Sequence, residues 1–563
     1  MAERKFPVLS RRQIEGLIAD GRSVFILDQY VIKADAWRQY HPGGDKAILH
    51  MVGRDASDEV TALHSPEARQ QMNRYRIGKI EGRWTNFIPP IQGGKFRPLV
   101  DDEDLENDTD GSDPTSPTSL SNLSSRDPSP VFDNTSESTT RKRHTADKQI
   151  PSSPSTTSVS SVEFDDGMSY LNTITKEKTT LDLEKYPSLD FTTQDTIVTK
   201  YRLLRQHVKD ENLYACNYWA YAIEVTRYSM LFGLSFLFLH WGWYILSAIS
   251  LGAVWHQLVF SAHDAGHMGI THGFHTDTVI GILIADFLGG LSLGWWKHNH
   301  NVHHIVTNAP EHDPDIEHMP FMAVSHRFFQ SMRSTYYDRV MEYDAVAKFT
   351  LRIQPYTYYI LLLFGRVNLY RLSWEYLLAG RGPRKGPAWW HRWLELAGMV
   401  FFWSWYGYGV LYKSIPNNWD RFVFVMISHM VPMPVHAQIC LSHFAMSTSD
   451  LGPHESFPQK MLRTTMDIDC PQWLDFFHGG LQFQVIHHLF PRIPRHNLRR
   501  TQKLVQEFCD EVGIPYALYG FVDGNKQVVG TLAEVSRQAA ILAKCQKVIS
   551  ESDDPIHGHG HHH

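Results

Sequence analysis

The sequence predicts an all-α, multi-pass membrane protein with four transmembrane helices, a cytosolic helical cap and a small α+β domain at the N-terminus. Four apolar stretches of about 20 residues have the length that a helix needs to cross the hydrocarbon of a bilayer. The N-terminal region instead alternates short apolar runs with polar helical stretches, which is typical of a small soluble domain. Seven histidines recur in three clusters at the ends of predicted helices. These observations define the architecture that we expect.

Four segments follow from the changes in composition along the chain. The small domain spans residues 5–90, a linker spans 91–165, the membrane domain with the histidine clusters spans 166–530, and a tail spans 531–563. The linker is rich in Ser, Thr and Pro, and such a segment buries too little apolar surface to offset the entropy of ordering it. We therefore expect a disordered tether there. The terminal HGHGHHH indicates a flexible tail or a purification tag.

The predicted transmembrane helices span residues 219–239, 243–263, 393–411 and 422–441. Basic residues concentrate on one side of them, while the intervening hairpin turns carry almost none, and cytosolic flanks are the ones enriched in Lys and Arg. These residues are Lys200, Arg202, Arg205, Arg381, Arg384, Lys385, Arg492, Arg495, Arg499 and Arg500. The small domain and all three histidine clusters therefore face the cytosol. We expect the apolar stretches 276–296 and 349–370 to be interfacial or partly embedded, because a full crossing by either alone would separate the clusters.

The composition argues against several classes of function. The net charge is −6, from 54 basic and 60 acidic residues, so a nucleic-acid binder is not expected. Five cysteines are scattered along the chain without a CxxC spacing. A disulfide framework or a thiolate metal site is therefore not expected either.

An HPGG turn marks the N-terminal domain. His41 begins this turn and His64 follows 23 residues later. Proline and two glycines allow the backbone to approach a flat ligand closely, and two histidines from separate short helices can hold a haem iron between them. The motif resembles the cytochrome b5 family, over roughly residues 7 to 84. That resemblance implies that His41 and His64 are the axial ligands of heme b, and that Gly43 and Gly44 shape the pocket wall.

The three histidine clusters read HDAGH, HNVHH and QVIHH. Residues three and four apart stack on one face of a helix, and neutral imidazole suits iron and other transition metals. Seven imidazoles are too many for one tetrahedral zinc and suit a site with two metal ions. The residues are His263, His267, His300, His303, His304, His487 and His488.

These clusters resemble the histidine boxes HxxxH, HxxHH and QxxHH of the membrane-bound fatty acyl desaturase and hydroxylase superfamily, over roughly residues 200 to 500. Gln484 and the fused haem domain narrow the resemblance to front-end desaturases. It implies a catalytic centre of two non-haem Fe ions held by the seven histidines and by His443. Gln484 stands where other desaturases have a histidine, so it is a further candidate ligand. His298 and His478 are alternatives to His443 as the further ligand, although a structural or ligand-orienting role is the favoured interpretation of both.

The resemblance also implies the reaction. O2 serves as co-substrate while two hydrogens leave adjacent methylenes of a lipid chain, and the tethered haem domain supplies the electrons at a raised effective concentration. NADH supplies them indirectly, through a separate cytochrome b5 reductase, which agrees with the lack of a GxGxxG fingerprint. The expected location is the endoplasmic reticulum membrane, with both centres facing the cytosol.

The stretch from residue 467 to 500 looks most like fungal sphingolipid Δ8-desaturases. The expected reaction is therefore desaturation of the sphingoid long-chain base of ceramide at Δ8. The alternatives are a Δ5 or Δ6 front-end fatty acyl desaturase, a lipid hydroxylase, and a non-catalytic haem membrane protein that senses lipids or carries electrons. The complete histidine boxes argue against the last alternative.

Overall fold

A computed structural model of the chain describes residues 5–97 and 167–552. The predicted linker from residue 98 onward and the last eleven residues of the chain, 553–563, lie outside the described residues.

The N-terminal domain is a three-stranded antiparallel sheet with short helices around it, which confirms the predicted α+β class. The strands, in the order β1-β2-β3, are β1 (Val24–Leu27), β2 (Tyr30–Lys33) and β3 (Arg76–Lys79). The helices are α1 (Arg11–Ala19), α2 (Asp45–Leu49), α3 (Ser57–Leu63) and α4 (Pro66–Met72). Helix α1 begins with a capping box, in which Ser10 and Gln13 satisfy each other's backbone N–H groups.

The second part of the chain is mainly helical. Its helices are α5 (Met168–Lys185), α6 (Phe191–Asp210), α7 (Tyr218–His240), α8 (Tyr244–Gly266), α9 (Phe274–Ile282), α10 (Leu293–Val306), α11 (Ala345–Leu363), α12 (Gly365–Ala379), α13 (His391–Phe402), α14 (Asn418–Met430), α15 (Met433–Phe444), α16 (Phe457–Thr464), α17 (Asp475–His478), α18 (Gln484–Leu489), α19 (Leu498–Val512) and α20 (Phe521–Ser552). Two short parallel strands, β4 (Asp467–Asp469) and β5 (Leu518–Gly520), join its distant segments.

Three helical segments of the described residues are long and apolar enough to cross a membrane. They are α7, α8 and the segment Asn418–Phe444, which combines α14 and α15. They coincide with the first, second and fourth predicted spans. The third predicted span, 393–411, is helical throughout, as α13 continues into a π-helix at Trp403–Ser414, but it is not among these three.

A bent pair of helices forms the stretch that was expected to be partly embedded. Helix α9 continues as a π-helix to Leu288, and α10 then leaves at an angle of 116°. Gly290 lies in the break with a φ of 69°, where a side chain would collide with the ring of Phe402. Ser292 then caps α10 by accepting the Trp295 N–H. The bend places α10 against both α8 and α13.

Helix α20 runs across the predicted tail boundary at residue 530. Five of its apolar residues are buried in the same core as α11 and α15, and they are Val528, Leu532, Val535, Ala539 and Leu542. Their spacing of three or four residues places them on one face of the helix. The part of α20 up to Leu542 therefore packs on the membrane domain.

Candidate functional site

Histidines from all three clusters meet in one group of side chains. His263 lies in the last turn of α8, His267 follows that helix, His300 lies on α10, and His487 lies on α18. Their potential ligand atoms all lie within 4.8 Å of one another. The ring centroids of His263 and His487 are 4.4 Å apart, and those of His267 and His300 are 5.1 Å apart.

A second group lies beside the first. His303 on α10, His443 at the end of α15 and His488 on α18 also place their ligand atoms within 4.8 Å of one another. His304 lies between the groups, with its Nε2 atom 3.1 Å from that of His300 and 3.0 Å from that of His487. All seven histidines named from the boxes, together with His443, therefore form one cluster.

The geometry of this cluster fits two metal ions. Two nitrogens bound to one metal at about 2.1 Å and at right angles lie about 3.0 Å apart. The closest Nε2 pairs here are separated by 3.0–3.2 Å. Burial, and then the neighbouring imidazoles, lower the pKa values of His487 and His488 well below the ordinary value. These two rings are therefore neutral, and each can offer a lone pair to a metal.

Asp313 determines the orientation of His303. Its carboxylate accepts a hydrogen bond from Nδ1 of His303 at 2.9 Å, which leaves Nε2 directed at the second group. The same carboxylate accepts the Asn308 N–H at 2.7 Å, and the Asn308 side chain donates to the carbonyl oxygen of His443 at 2.8 Å. Such carboxylate–histidine pairs fix the tautomer and ring position of metal ligands. Sequence reasoning missed Asn308, although its position just after the second box was a signal.

The remaining candidates have different surroundings. His298 lies 3.1 Å from the hydroxyl of Tyr336, and His478 lies 3.0 Å from the side-chain oxygen of Gln438. Neither belongs to any of the three potential metal-binding groups found among the described residues, the third of which consists of His303, Asp313 and Asp315. Gln484 is buried at the start of α18, one helical turn before His487 and His488, so it shares their side of the helix.

The N-terminal domain places two histidines face to face. The ring centroids of His41 and His64 are 5.8 Å apart. Each Nδ1 donates to a backbone carbonyl, that of Gly44 at 2.9 Å and that of Val60 at 3.1 Å, so both Nε2 atoms remain free. Burial, and then the charge of His41, lower the pKa of His64 to about 3, and Arg492 and Arg69 lower it further. Two neutral, opposed imidazoles fit the axial positions of a haem.

The N-terminal domain is docked on the membrane domain through helix α10. Three residues of α10, Val302, Ile305 and Val306, share a core with apolar residues of the N-terminal domain. A Cβ atom at Gly43 would lie 2.7 Å from the amide nitrogen of Asn301, and one at Gly44 would lie 2.6 Å from the ring of His298. The two glycines therefore allow α10 to approach, in addition to their expected role in the pocket wall.

Polar contacts complete this seam between the domains. Arg202 donates two hydrogen bonds to the carboxylate of Asp58, at 2.9 and 3.0 Å. Lys46 pairs with Asp338 at 2.8 Å, and the amide of Asn86 donates to the carbonyl oxygen of Pro453 at 3.1 Å. Helix α10 thus carries histidines of the candidate metal site on one side, and its other side contacts the N-terminal domain, which contains His41 and His64.

Comparison with known proteins agrees with this arrangement. Residues 239–520 match the family described as fatty acid desaturase, and residues 10–81 match the cytochrome b5-like heme/steroid binding domain. The chain belongs to the fatty acid desaturase family. This desaturase is therefore a membrane-bound oxidoreductase whose cytochrome b5 domain implies haem and whose family implies iron.

The desaturase is similar to fungal proteins over nearly its whole length. It is 60% identical to a Delta 8-(E)-sphingolipid desaturase of Emericella nidulans, over 96% of this chain and 97% of that protein. It is 48% identical to a protein of the same name from Kluyveromyces lactis, over 98% of this chain and 97% of that protein. A Delta(8)-fatty-acid desaturase of Arabidopsis thaliana is 37% identical, over 53% of this chain and 64% of that protein.

Proposed function

We propose that this desaturase introduces a double bond at Δ8 of the sphingoid long-chain base of ceramide. The observation that carries the proposal is the 60% identity, over 96% of the chain, to a protein named for this reaction. The relationship includes the haem domain, and the chain keeps every histidine of the three boxes.

The proposed ligands of the two irons are the eight clustered histidines, with Gln484 as a further ligand, and those of the haem are His41 and His64. When bound, the irons would activate dioxygen for removal of hydrogen from two adjacent methylenes, and the haem would deliver single electrons. Asp313 holds the proton of His303 on Nδ1, so that Nε2 stays available to a metal. Burial of His303, His304 and His488 excludes bulk water from the centre.

The docked domains support electron delivery within one chain. Asn301 and His298 face the N-terminal domain, whereas the neighbouring His300 belongs to the first metal group. A single helix, about 10 Å across with its side chains, therefore separates the two proposed centres. A tether alone would raise the effective concentration of the donor, but it would not fix this proximity.

We also propose that NADH is the electron source through a separate cytochrome b5 reductase, and that the enzyme resides in the endoplasmic reticulum membrane with both centres in the cytosol. The basic residues that precede the two apolar helices α7 and α8 support this orientation, and Lys200 and Arg202 are among them. Mapping protease sensitivity of the N-terminal domain in sealed microsomes tests it, because a luminal domain would be protected.

The test of function is expression of the chain in a yeast that lacks Δ8-desaturase activity, followed by mass spectrometry of its lipids. We expect ceramides that have lost two hydrogens, with the double bond at Δ8 of the long-chain base. Unsaturated fatty acyl chains would instead indicate a Δ5 or Δ6 acyl desaturase, and added oxygen would indicate a hydroxylase. No new lipid would indicate a sensor or carrier. The variant His300→Ala, expressed to the same level, is the control.

A further inference from the structure

An arginine of the membrane domain is buried at the seam without a partner. Arg492 is only 8% exposed, and its side chain makes no hydrogen bond or ion pair with any other described residue. Its Nε atom in particular is buried and unsatisfied. The carboxylate of Glu67 acts on the charge of Arg492 but forms no ion pair with it. A poorly compensated, buried cation is unfavourable, so a bound anion would stabilise this arginine.

A second arginine, from the N-terminal domain, is in a similar state. The Nε atom of Arg69, on α4, is also buried and unsatisfied, and its Nη1 atom makes only a long contact of 3.4 Å with the hydroxyl of Thr61. Packing brings the two arginines together, because Phe490 and Ile493, on either side of Arg492, share a core with Ala62, two residues before His64, and Tyr214 packs against that core. The charges of both arginines also act on Tyr214, where they oppose the burial that raises the pKa of this phenol. The two cations therefore approach the same region from opposite sides of the seam.

That region adjoins the proposed haem site. Helix α4 begins two residues after His64. Hydrogen bonds at the start of this helix lower the pKa of Glu67, and the charges of Arg492 and Arg69 lower it further. Arg492 also follows His488, a proposed iron ligand, by four residues. The two arginines, each with a buried and unsatisfied Nε atom, thus lie beside one proposed haem ligand, and Arg492 belongs to the segment that carries a proposed iron ligand.

We propose that Arg492 and Arg69 bind the propionate carboxylates of the haem, one arginine from each domain. The proposal rests on the proposed haem ligands His41 and His64. A haem carries two carboxylates on one edge, and the planar guanidinium matches a carboxylate in a bidentate pair. The haem site is then completed by the membrane domain, and bound haem holds the two domains together at the seam.

The experiment compares haem retention in the purified full-length protein, loaded either with haem or with haem dimethyl ester, whose propionates carry no charge. Transfer to excess apomyoglobin gives the rate of haem loss. The variants are Arg492→Gln and Arg69→Gln, and Arg492→Lys keeps the charge without the planar fork. Arg202→Gln is the matched control, because Arg202 is a seam arginine whose carboxylate partner, Asp58, belongs to the chain.

With native haem, we expect each Gln variant to lose the cofactor roughly 10- to 100-fold faster than the wild type, as for loss of a charged hydrogen bond. The rate of haem loss from Arg492→Lys should lie between those of the wild type and Arg492→Gln. The rate for the control, Arg202→Gln, should match that of the wild type. With the ester, all proteins should lose the cofactor at one fast rate. The haem potential should also become more negative in the Gln variants, because removal of a nearby positive charge favours the ferric state.

Equal haem loss from the wild type and Arg492→Gln would overturn the proposal, and so would a difference that persists with the ester. A wild-type protein that binds no haem would overturn the proposed haem ligands as well. None of these measurements depends on turnover, so failure of the proposed Δ8 reaction would be seen separately in the lipid analysis.

Discussion

At the scale of single residues, the metal cluster depends on which nitrogen each imidazole presents. His303 is fixed by the carboxylate of Asp313, which is fully buried and also holds the backbone of Asn308. Asn308 adopts a φ of 57°, a conformation that asparagine tolerates better than most residues, and from there it reaches the carbonyl oxygen of His443. One loop therefore positions ligands from two helices.

We predict that Asp313→Asn lowers iron affinity or turnover about 10- to 100-fold, the usual effect of removing a group that orients a metal ligand. The carboxamide can keep one hydrogen bond but loses the charge that holds the proton on Nδ1 of His303. Iron per haem, measured by elemental analysis of the purified protein, checks this. Asp523→Asn is the control, since that carboxylate is exposed on α20, where it pairs with Lys526, far from the histidine cluster in sequence. Equal iron loss in both variants would contradict the assigned role.

The sequence indicated the clustered histidines, and it offered Asp264, Asp313 and Asp315 as carboxylates that could orient imidazoles, but it did not indicate Asn308. Helical spacing alone places His300, His303 and His304 on neighbouring parts of one helix surface. His443 has no such local pattern and was named only through family resemblance. The partners Asp313 and Asn308 lie in an irregular loop, whose path depends on tertiary contacts that no periodicity reveals.

At the scale of elements, α10 has two functional sides. Its histidines enter the metal cluster, and its apolar residues Val302, Ile305 and Val306 pack on the haem domain. A sequence pattern shows that a helix has an apolar side, but it does not show which other element covers that side. The docking of the two domains therefore could not be read from the chain.

Ile305→Asp should separate the domains without removing a proposed ligand. An uncompensated charge buried at this seam costs about 3–5 kcal/mol, which favours undocking. We expect the haem spectrum and the iron content to persist while turnover falls, and hydrogen exchange should increase on the seam surface of α2. Val340→Asp, at a residue that is exposed, is the control and should leave exchange unchanged. Normal turnover by Ile305→Asp would show that docking is not needed.

Helix α20 gives a further prediction at this scale. Leu532 is fully buried against the membrane domain, whereas Ile541, on the same helix, is largely exposed. Leu532→Ala should lower the free energy of unfolding by about 2–5 kcal/mol, because it leaves a cavity in a packed core. Ile541→Ala is the matched control and should have little effect. Thermal unfolding of the detergent-solubilised protein measures both, and equal stability of the two variants would place α20 outside the core.

The same helix extends past the predicted boundary at residue 530. Composition drew attention to the polar, histidine-rich terminus, while the apolar residues from Val528 to Leu542 recur at helical spacing. That periodicity is typical of an amphipathic helix whose apolar side packs on another element, as residues 528–542 do.

At the scale of the whole molecule, the two domains form one packed body in the described residues, rather than a carrier on a loose tether. Some of the basic residues from which the orientation in the membrane was predicted are therefore buried between packed elements. Arg495 is buried and pairs with Asp264 and Glu224, and Arg492 is buried at the seam. Neither is a solvated flank, so the orientation depends more on Lys200, Arg202 and the basic loop before α13.

The two centres should nevertheless be separable by mutation, because their proposed ligands belong to different domains and share no residue. His41→Ala should abolish the haem spectrum and leave the iron content intact, whereas His443→Ala should lower the iron content and leave the haem spectrum intact. Both variants should lose turnover, because desaturation needs the electron donor as well as the metal cluster.

Absorption spectra, elemental analysis and ceramide profiles from the same preparations measure the three properties together. His436→Ala is the matched control for His443→Ala. His436 lies on the same helix, and its Nδ1 is bonded to the carbonyl oxygen of Leu362 at 2.9 Å, outside the metal groups. It should keep both cofactors. Full activity in His41→Ala would mean that a free electron carrier replaces the docked domain, and the short path across α10 would then have no role in turnover.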